Sequence, residues 1–124
     1  MIHLDTNYLV LGAVPGSPQD SRIRAWVTAG EPIRASAMAW AEFMCGPLKP
    51  NEEAAALRLI GQPLPIDAAD AKLGAQLFNL AGRRRGSLAD CLIAAVALRA
   101  GASLATENRA DFLPFVPAGL RIVP

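Results

Sequence analysis

Three carboxylates far apart along the chain, Asp5, Glu42 and Asp90, stand in surroundings where a charge is expensive. Asp5 directly follows the short run Ile2-His3-Leu4. Glu42 interrupts Ala37-Met38-Ala39-Trp40-Ala41-Glu42-Phe43. Asp90 falls near the start of Leu88-Ala89-Asp90-Cys91-Leu92-Ile93-Ala94-Ala95. Two more polar residues, Asn108 and Asp111, come just after the segment ending at Thr106. An ionised carboxylate among apolar residues is costly unless it is paired, hydrogen-bonded or bound to a cation. Carboxylates that converge also repel one another, so that one or more is driven to protonate. A hard divalent ion resolves both problems, and a ligand set made only of oxygens selects Mg²⁺ or Mn²⁺ over Zn²⁺. Water bound to such an ion can act as a nucleophile near neutral pH. The electrophile that suits it is a phosphodiester, whose charge the ion also offsets.

Each position also has a plainer reading. Asp5 can be the cap of a helix that begins near Asn7. Ser87-Leu88-Ala89-Asp90 fits a capping box with Asp in place of the usual Glu. Glu42 can sit on the outer face of its helix, Asp111 in a solvated turn, and Asn108 in an Asx-turn. Their joint occurrence tips the balance. Three acidic groups fall at the ends of predicted strands or in the helices that start just after them, and in a parallel sheet those points converge.

The rest of the composition narrows the chemistry. His3 is the one histidine of 124 residues, which argues against a histidine-based triad or a histidine-rich metal site. Cys45 and Cys91 lie in apolar stretches without zinc-ligand spacing and read as reduced core thiols. A formal net charge of +1 does not announce nucleic-acid binding, but Arg83-Arg84-Arg85 is one tight basic cluster. No basic leader or apolar span of about 18 residues is present, so the chain reads as soluble and cytoplasmic, with no membrane partner. Its positive mean hydropathy hints at a buried interface such as a homodimer.

The elements that must position these residues follow from periodicity and punctuation. Strands are expected at Ile2–Leu4, Pro32–Ser36, Ser103–Thr106 and Leu120–Val123, with a brief strand-like segment at Leu64–Ile66. Helices are expected at Asn7–Ala13, Ser21–Ala29, Ala37–Cys45, Asn51–Ile60, from the Asp67 cap to Gly82, and Leu88–Ala100; Asn108–Phe112 is a turn or short helix. Strands alternating with helices, with no hairpin signals, indicate an α/β domain with a mainly parallel sheet covered on both faces.

Four stretches together resemble the PIN-domain endoribonucleases, and specifically the VapC-like toxins of type II toxin–antitoxin pairs. They are Leu4-Asp5-Thr6-Asn7, Ala41-Glu42-Phe43, Ser87 through Ala95, and Leu104 through Phe112. The resemblance implies a three-layer α/β/α fold over residues 1–124 as a single PIN domain. It implies cleavage of single-stranded RNA with Mg²⁺ or Mn²⁺, leaving a 3′-hydroxyl and a 5′-phosphate. Asp5, Glu42 and Asp90 take the places of the acidic site residues, with Asp5 and Asp90 as metal ligands, directly or through water, and Glu42 helping to hold the metal and to position or deprotonate the attacking water. The fourth family position, often Asp, is Asn108 here. Asp111 is a candidate to supply the missing carboxylate or orient its neighbours, and Thr6 to hydrogen-bond within the site. Arg83, Arg84 and Arg85 are candidates to grip the RNA backbone; Trp40 is a candidate for stacking on a base but fits core packing better. A cognate antitoxin is the implied protein partner, in a homodimer or a hetero-oligomer.

Two other readings compete. An aspartate-nucleophile phosphatase would want a second Asp two residues after Asp5, where Asn7 stands, and a suitably placed lysine where only Lys49 and Lys72 are available. A catalytically weak PIN-like module binding RNA or protein is favoured by Asn108 and disfavoured by the three retained carboxylates.

Overall fold

Four short apolar runs become four parallel strands in the computed structural model, which describes all 124 residues. They are β1 (Ile2–Leu4), β2 (Ile33–Arg34), β3 (Ser103–Ala105) and β4 (Arg121–Ile122), in the order β2-β1-β3-β4. Ile2 lies opposite both Ile33 and Ser103, Leu4 opposite Ala105, and Leu104 opposite Ile122. Every residue of β1 is buried, as expected of a central strand covered on both faces. Seven helices complete a three-layer α/β/α fold: α1 (Thr6–Gly12), α2 (Pro18–Thr28), α3 (Ala37–Cys45), α4 (Glu52–Ile60), α5 (Ala68–Leu80), α6 (Leu88–Arg99) and α7 (Arg109–Phe112). The chain leaves β1 towards β2 on one side, while β3 pairs on the other. The boundary between β1 and β3 is therefore a topological switch point, and a crevice opens beyond the carboxyl ends of these strands.

Helix α6 carries the core. Cys91, Ala94, Ala95 and Ala97 are fully buried, and Ile93 and Val96 nearly so. Small side chains let α6 lie close to its neighbours: a Cβ added at Gly74 of α5 would come within 2.8 Å of the Leu92 side chain. The two helices are also laced at one end. Asp67 and Asp70 form a reciprocal capping box at the start of α5, with bonds of 2.9 and 3.0 Å, and Arg99 of α6 reaches both carboxylates at 2.8 and 2.9 Å. Tyr8, Phe43, Phe112 and Phe115 are the bulkiest buried side chains of the core, and each phenylalanine contributes about 1.5–3 kcal/mol by burial.

Several sequence expectations need correction. Helix α2 starts at Pro18 rather than Ser21, because Ser17 accepts the Asp20 N–H as N-cap and proline is tolerated in the first turn. Leu64 makes one bridge to Ser36 and no strand, since Pro63 and Pro65 remove the flanking donors. Leu113–Ala118 forms an unexpected 3₁₀ turn leading into β4. Cys45 is exposed at the end of α3, whereas Cys91 is a buried free thiol. Trp40 packs against Phe43, with ring centroids 5.3 Å apart. No helix is long and apolar enough to cross a membrane.

Candidate active site

Asp5 leaves β1 in extended backbone and caps α1, so the plain reading and the functional one coincide in one residue. Its main chain stays tied to the sheet, the Asp5 N–H donating to the Ala105 carbonyl at 3.0 Å. Its carboxylate, almost wholly buried, is held by three donors. The Thr6 N–H reaches Oδ1 at 2.8 Å; the Thr106 hydroxyl and the Asn7 amide reach Oδ2 at 2.7 and 3.3 Å. Parallel pairing explains the Thr106 contact: Leu4 faces Ala105, so the next residues of β1 and β3 emerge side by side. Burial raises the Asp5 carboxyl above its ordinary range and Glu42 adds to this, while the Thr106, Thr6 and Asn7 hydrogen bonds pull it back.

Glu42 turns towards the same place. Its Oε1 accepts the Thr6 hydroxyl at 2.8 Å, so Thr6 links α1 to α3 within the site. Asp90 reaches it from the first turn of α6. The capping box expected with Ser87 does not form: Ser87 has helical backbone, and its hydroxyl donates to the Arg84 carbonyl at 2.7 Å. The Asp90 carboxylate thus caps nothing. Burial, then Asp5, Asp111 and Glu42, push its carboxyl up to about 6; Arg84, at 3.7 Å, acts in the opposite direction.

Asp5, Thr6, Asn7, Glu42, Asp90 and Asn108 line one cavity of about 460 Å³, completed by two apolar residues and no cation. Asn108 stands at its rim. Its N–H donates to the Thr106 hydroxyl at 2.9 Å, and its side chain makes no capping bond, so the Asx-turn is not formed. Asp111 lies outside this cavity and connects to it through Arg84, whose Nη1 is 3.3 Å from Oδ1 of Asp111. The three arginines do not act as one patch. Arg83, in left-handed backbone, bonds to the Asn79 side chain and covers the Phe78 ring at 5.4 Å; only Arg84 meets the site carboxylates, and Arg85 is exposed.

Sequence reasoning missed Thr106 and Asn7 as the groups that fix Asp5. The Asn7 signal was its place two residues after Asp5, and the Thr106 signal was the end of a strand pairing with β1. The donor set, three carboxylates and an amide, has the chemistry of a Mg²⁺ or Mn²⁺ site. No three acidic, histidine or cysteine side chains close on a single point, so these residues would hold such an ion with water completing its shell, as Mg²⁺ usually requires.

Comparison with known proteins bears on the fold and the family. The FitAcB crystal structure from Neisseria gonorrhoeae is 28% identical over 100% of this chain and 97% of that one, with a TM-score of 0.74. VapBC2 from Rickettsia felis, bound to a promoter DNA fragment, shares the fold at 20% identity and a TM-score of 0.73, over 99% of this chain and 98% of that one. A toxin–antitoxin complex from Klebsiella pneumoniae does so at 24% identity and 0.66, over 91% of each chain. No curated protein matches the chain in sequence. The PIN domain model, however, matches residues 2–113, from β1 through α7, and the chain belongs to the PIN domain family.

Proposed function

We propose that this chain is a Mg²⁺- or Mn²⁺-dependent endoribonuclease of the cytoplasm and the toxin of a type II toxin–antitoxin pair, with residues 1–124 acting as one PIN domain. The observation that carries the proposal is the gathering of Asp5, Glu42 and Asp90, remote in sequence, on the wall of one cavity. Asp5 and Asp90 would hold the ion. When bound, the ion offsets phosphodiester charge and lowers the pKa of a water molecule. Glu42, fixed by Thr6, orients the attacking water and accepts its proton. The threefold hydrogen bonding of Asp5 keeps that carboxylate in place before substrate arrives, which is what preorganised catalysis requires. In-line attack of the water oxygen on phosphorus breaks the P–O3′ bond, and the departing 3′ oxygen takes a proton from solvent, leaving a 3′-hydroxyl and a 5′-phosphate. The antitoxin partner is supported by the shared fold with the Klebsiella toxin–antitoxin complex and by the motif resemblance.

Purified protein incubated with single-stranded RNA and Mg²⁺ or Mn²⁺ tests the activity. Cleavage that stops in EDTA, and falls about 100-fold or more in Asp5→Asn, is the expected result. Metal-independent cleavage, or full activity of Asp5→Asn, refutes it. Expression should arrest growth, with relief on coexpression of the antitoxin. Asn108 in place of an acidic residue favours one other reading, a PIN-like module that binds RNA or protein with little catalysis; such a module would bind Mn²⁺ weakly and cut no RNA.

A further inference from the structure

A second cavity, of about 210 Å³, is linked to the acidic one by the contact between Arg84 and Asp90. Arg84 and Asp111 stand on its wall, and the same Arg84 reaches Asp90 on the wall of the acidic cavity. We propose that this second cavity seats the nucleobase beside the cut phosphodiester, and that Arg84, at the boundary, binds the phosphate joined to that nucleoside. The proposal rests on the nuclease reading for the identity of the ligand, single-stranded RNA.

The lining suits a base. Ala81, Ala110 and Pro114 offer apolar surface to a flat ring above the buried Phe115, and the carboxylate of Asp111 can accept an N–H from a ring edge. Arg84 is built to let go of its present partners. Its contacts to Asp111 and Asp90, at 3.3 and 3.7 Å, are longer than a good N–H···O bond, and its side chain is 55% exposed, so the pairs are weak. A phosphate offers a guanidinium better, bidentate geometry. The backbone beneath it is held firmly all the same. Gly82, Arg83 and Gly86 all take positive φ, which folds the α5–α6 connection tightly, and the Arg84 carbonyl accepts both the N–H and the hydroxyl of Ser87, at 3.1 and 2.7 Å. A fixed stem with a loosely paired tip is what a phosphate-positioning residue needs. Charge points the same way. Arg84 is the arginine paired to the acidic cavity, so it puts a fixed positive charge at the edge of that cavity, where the RNA backbone must pass.

The test compares wild type, Arg84→Ala, Arg84→Lys and Ala110→Leu on single-stranded oligoribonucleotides randomised around the cut, with Mn²⁺ present. Arg84→Ala should raise KM about tenfold with a smaller change in kcat, and lower the salt dependence by about one phosphate contact. Arg84→Lys should recover part of the loss, and Mn²⁺ should bind Arg84→Ala no more weakly than wild type. Ala110→Leu, which narrows the cavity, should change the base preferred at one position flanking the cut. In NMR titrations a nucleoside 5′-monophosphate should shift Ala81, Ala110 and Phe115, while inorganic phosphate should leave Phe115 unmoved. Unchanged KM and salt dependence in Arg84→Ala, or unchanged base preference in Ala110→Leu, overturns the proposal even where the nuclease reading stands through the loss of activity in Asp5→Asn. If wild type cuts no RNA, the nucleotide titration decides alone: shifts at Ala81 and Ala110 support the seat, and their absence overturns it.

Discussion

Replacing Asp90 by Asn should make the metal-free protein more stable while abolishing its activity. In the fold the Asp90 carboxyl is raised from 3.8 to about 6, so the folded chain holds this proton more tightly than the unfolded chain does. Ionising it between about pH 4 and 6 therefore costs stability, and the wild type weakens as pH rises through that window. About two pH units correspond to roughly 3 kcal/mol. With 24% of the side chain exposed and Arg84 nearby, solvent screening reduces this to about 1–2 kcal/mol. Asparagine keeps the shape and carries no charge. Thermal melts followed by circular dichroism in EDTA, at about pH 7.5, should show Asp90→Asn melting roughly 3–8 °C above wild type, with the difference gone near pH 4. Equal or lower melting of the variant at the higher pH would refute the crowding of charge around Asp90. So would a gain of the same size at both pH values.

Other outcomes follow from the same structure. Burial, then Arg34 and the N-terminal amine, lower the His3 pKa from 6.5 to about 4, and neither ring nitrogen has a hydrogen-bond partner. The fold keeps His3 neutral, so its contribution is present above about pH 6.5 and is lost, by up to about 3 kcal/mol, as pH falls towards 4. His3→Leu should flatten that acid limb in melts at stepped pH; an unchanged limb would clear His3 of the effect. Asp70→Ala removes the α5 cap partner and a nearly buried mate of Arg99, and should cost about 1–3 kcal/mol in urea unfolding. Asp67→Ala, at a more exposed position, should cost less. Equal losses would mean that burial at Asp70 is not the cause.

Much of the fold was legible in the residues because local signals and tertiary demands agree. The helix Ala37–Cys45 begins at a serine that does cap it, through the Ala39 N–H, and the α5 capping box forms as its spacing predicts. Elements went astray where prolines carry the decision. Pro18 starts a helix where the Pro-Gly-Ser-Pro run looked like a stop, and Pro114 and Pro117 lie in a 3₁₀ turn that no periodicity announces. The carboxylates were legible because charge among apolar residues demands a partner, whatever the fold. The hydrogen bonds that hold them were not. Thr106 meets Asp5 across 101 residues, through a strand register that neither residue reveals alone. Ser87 shows the opposite case: a good capping pattern gives way because the hydroxyl finds the Arg84 carbonyl instead, and this leaves Asp90 to the cavity.

Titration of Mn²⁺ into the wild type, followed by electron paramagnetic resonance of the free ion, addresses the acidic cavity most directly. Saturable binding that is lost or weakened at least tenfold, about 1.4 kcal/mol, in both Asp5→Asn and Asp90→Asn is predicted. Binding that persists undiminished in both variants, or no saturable binding by the wild type, would contradict a shared metal site.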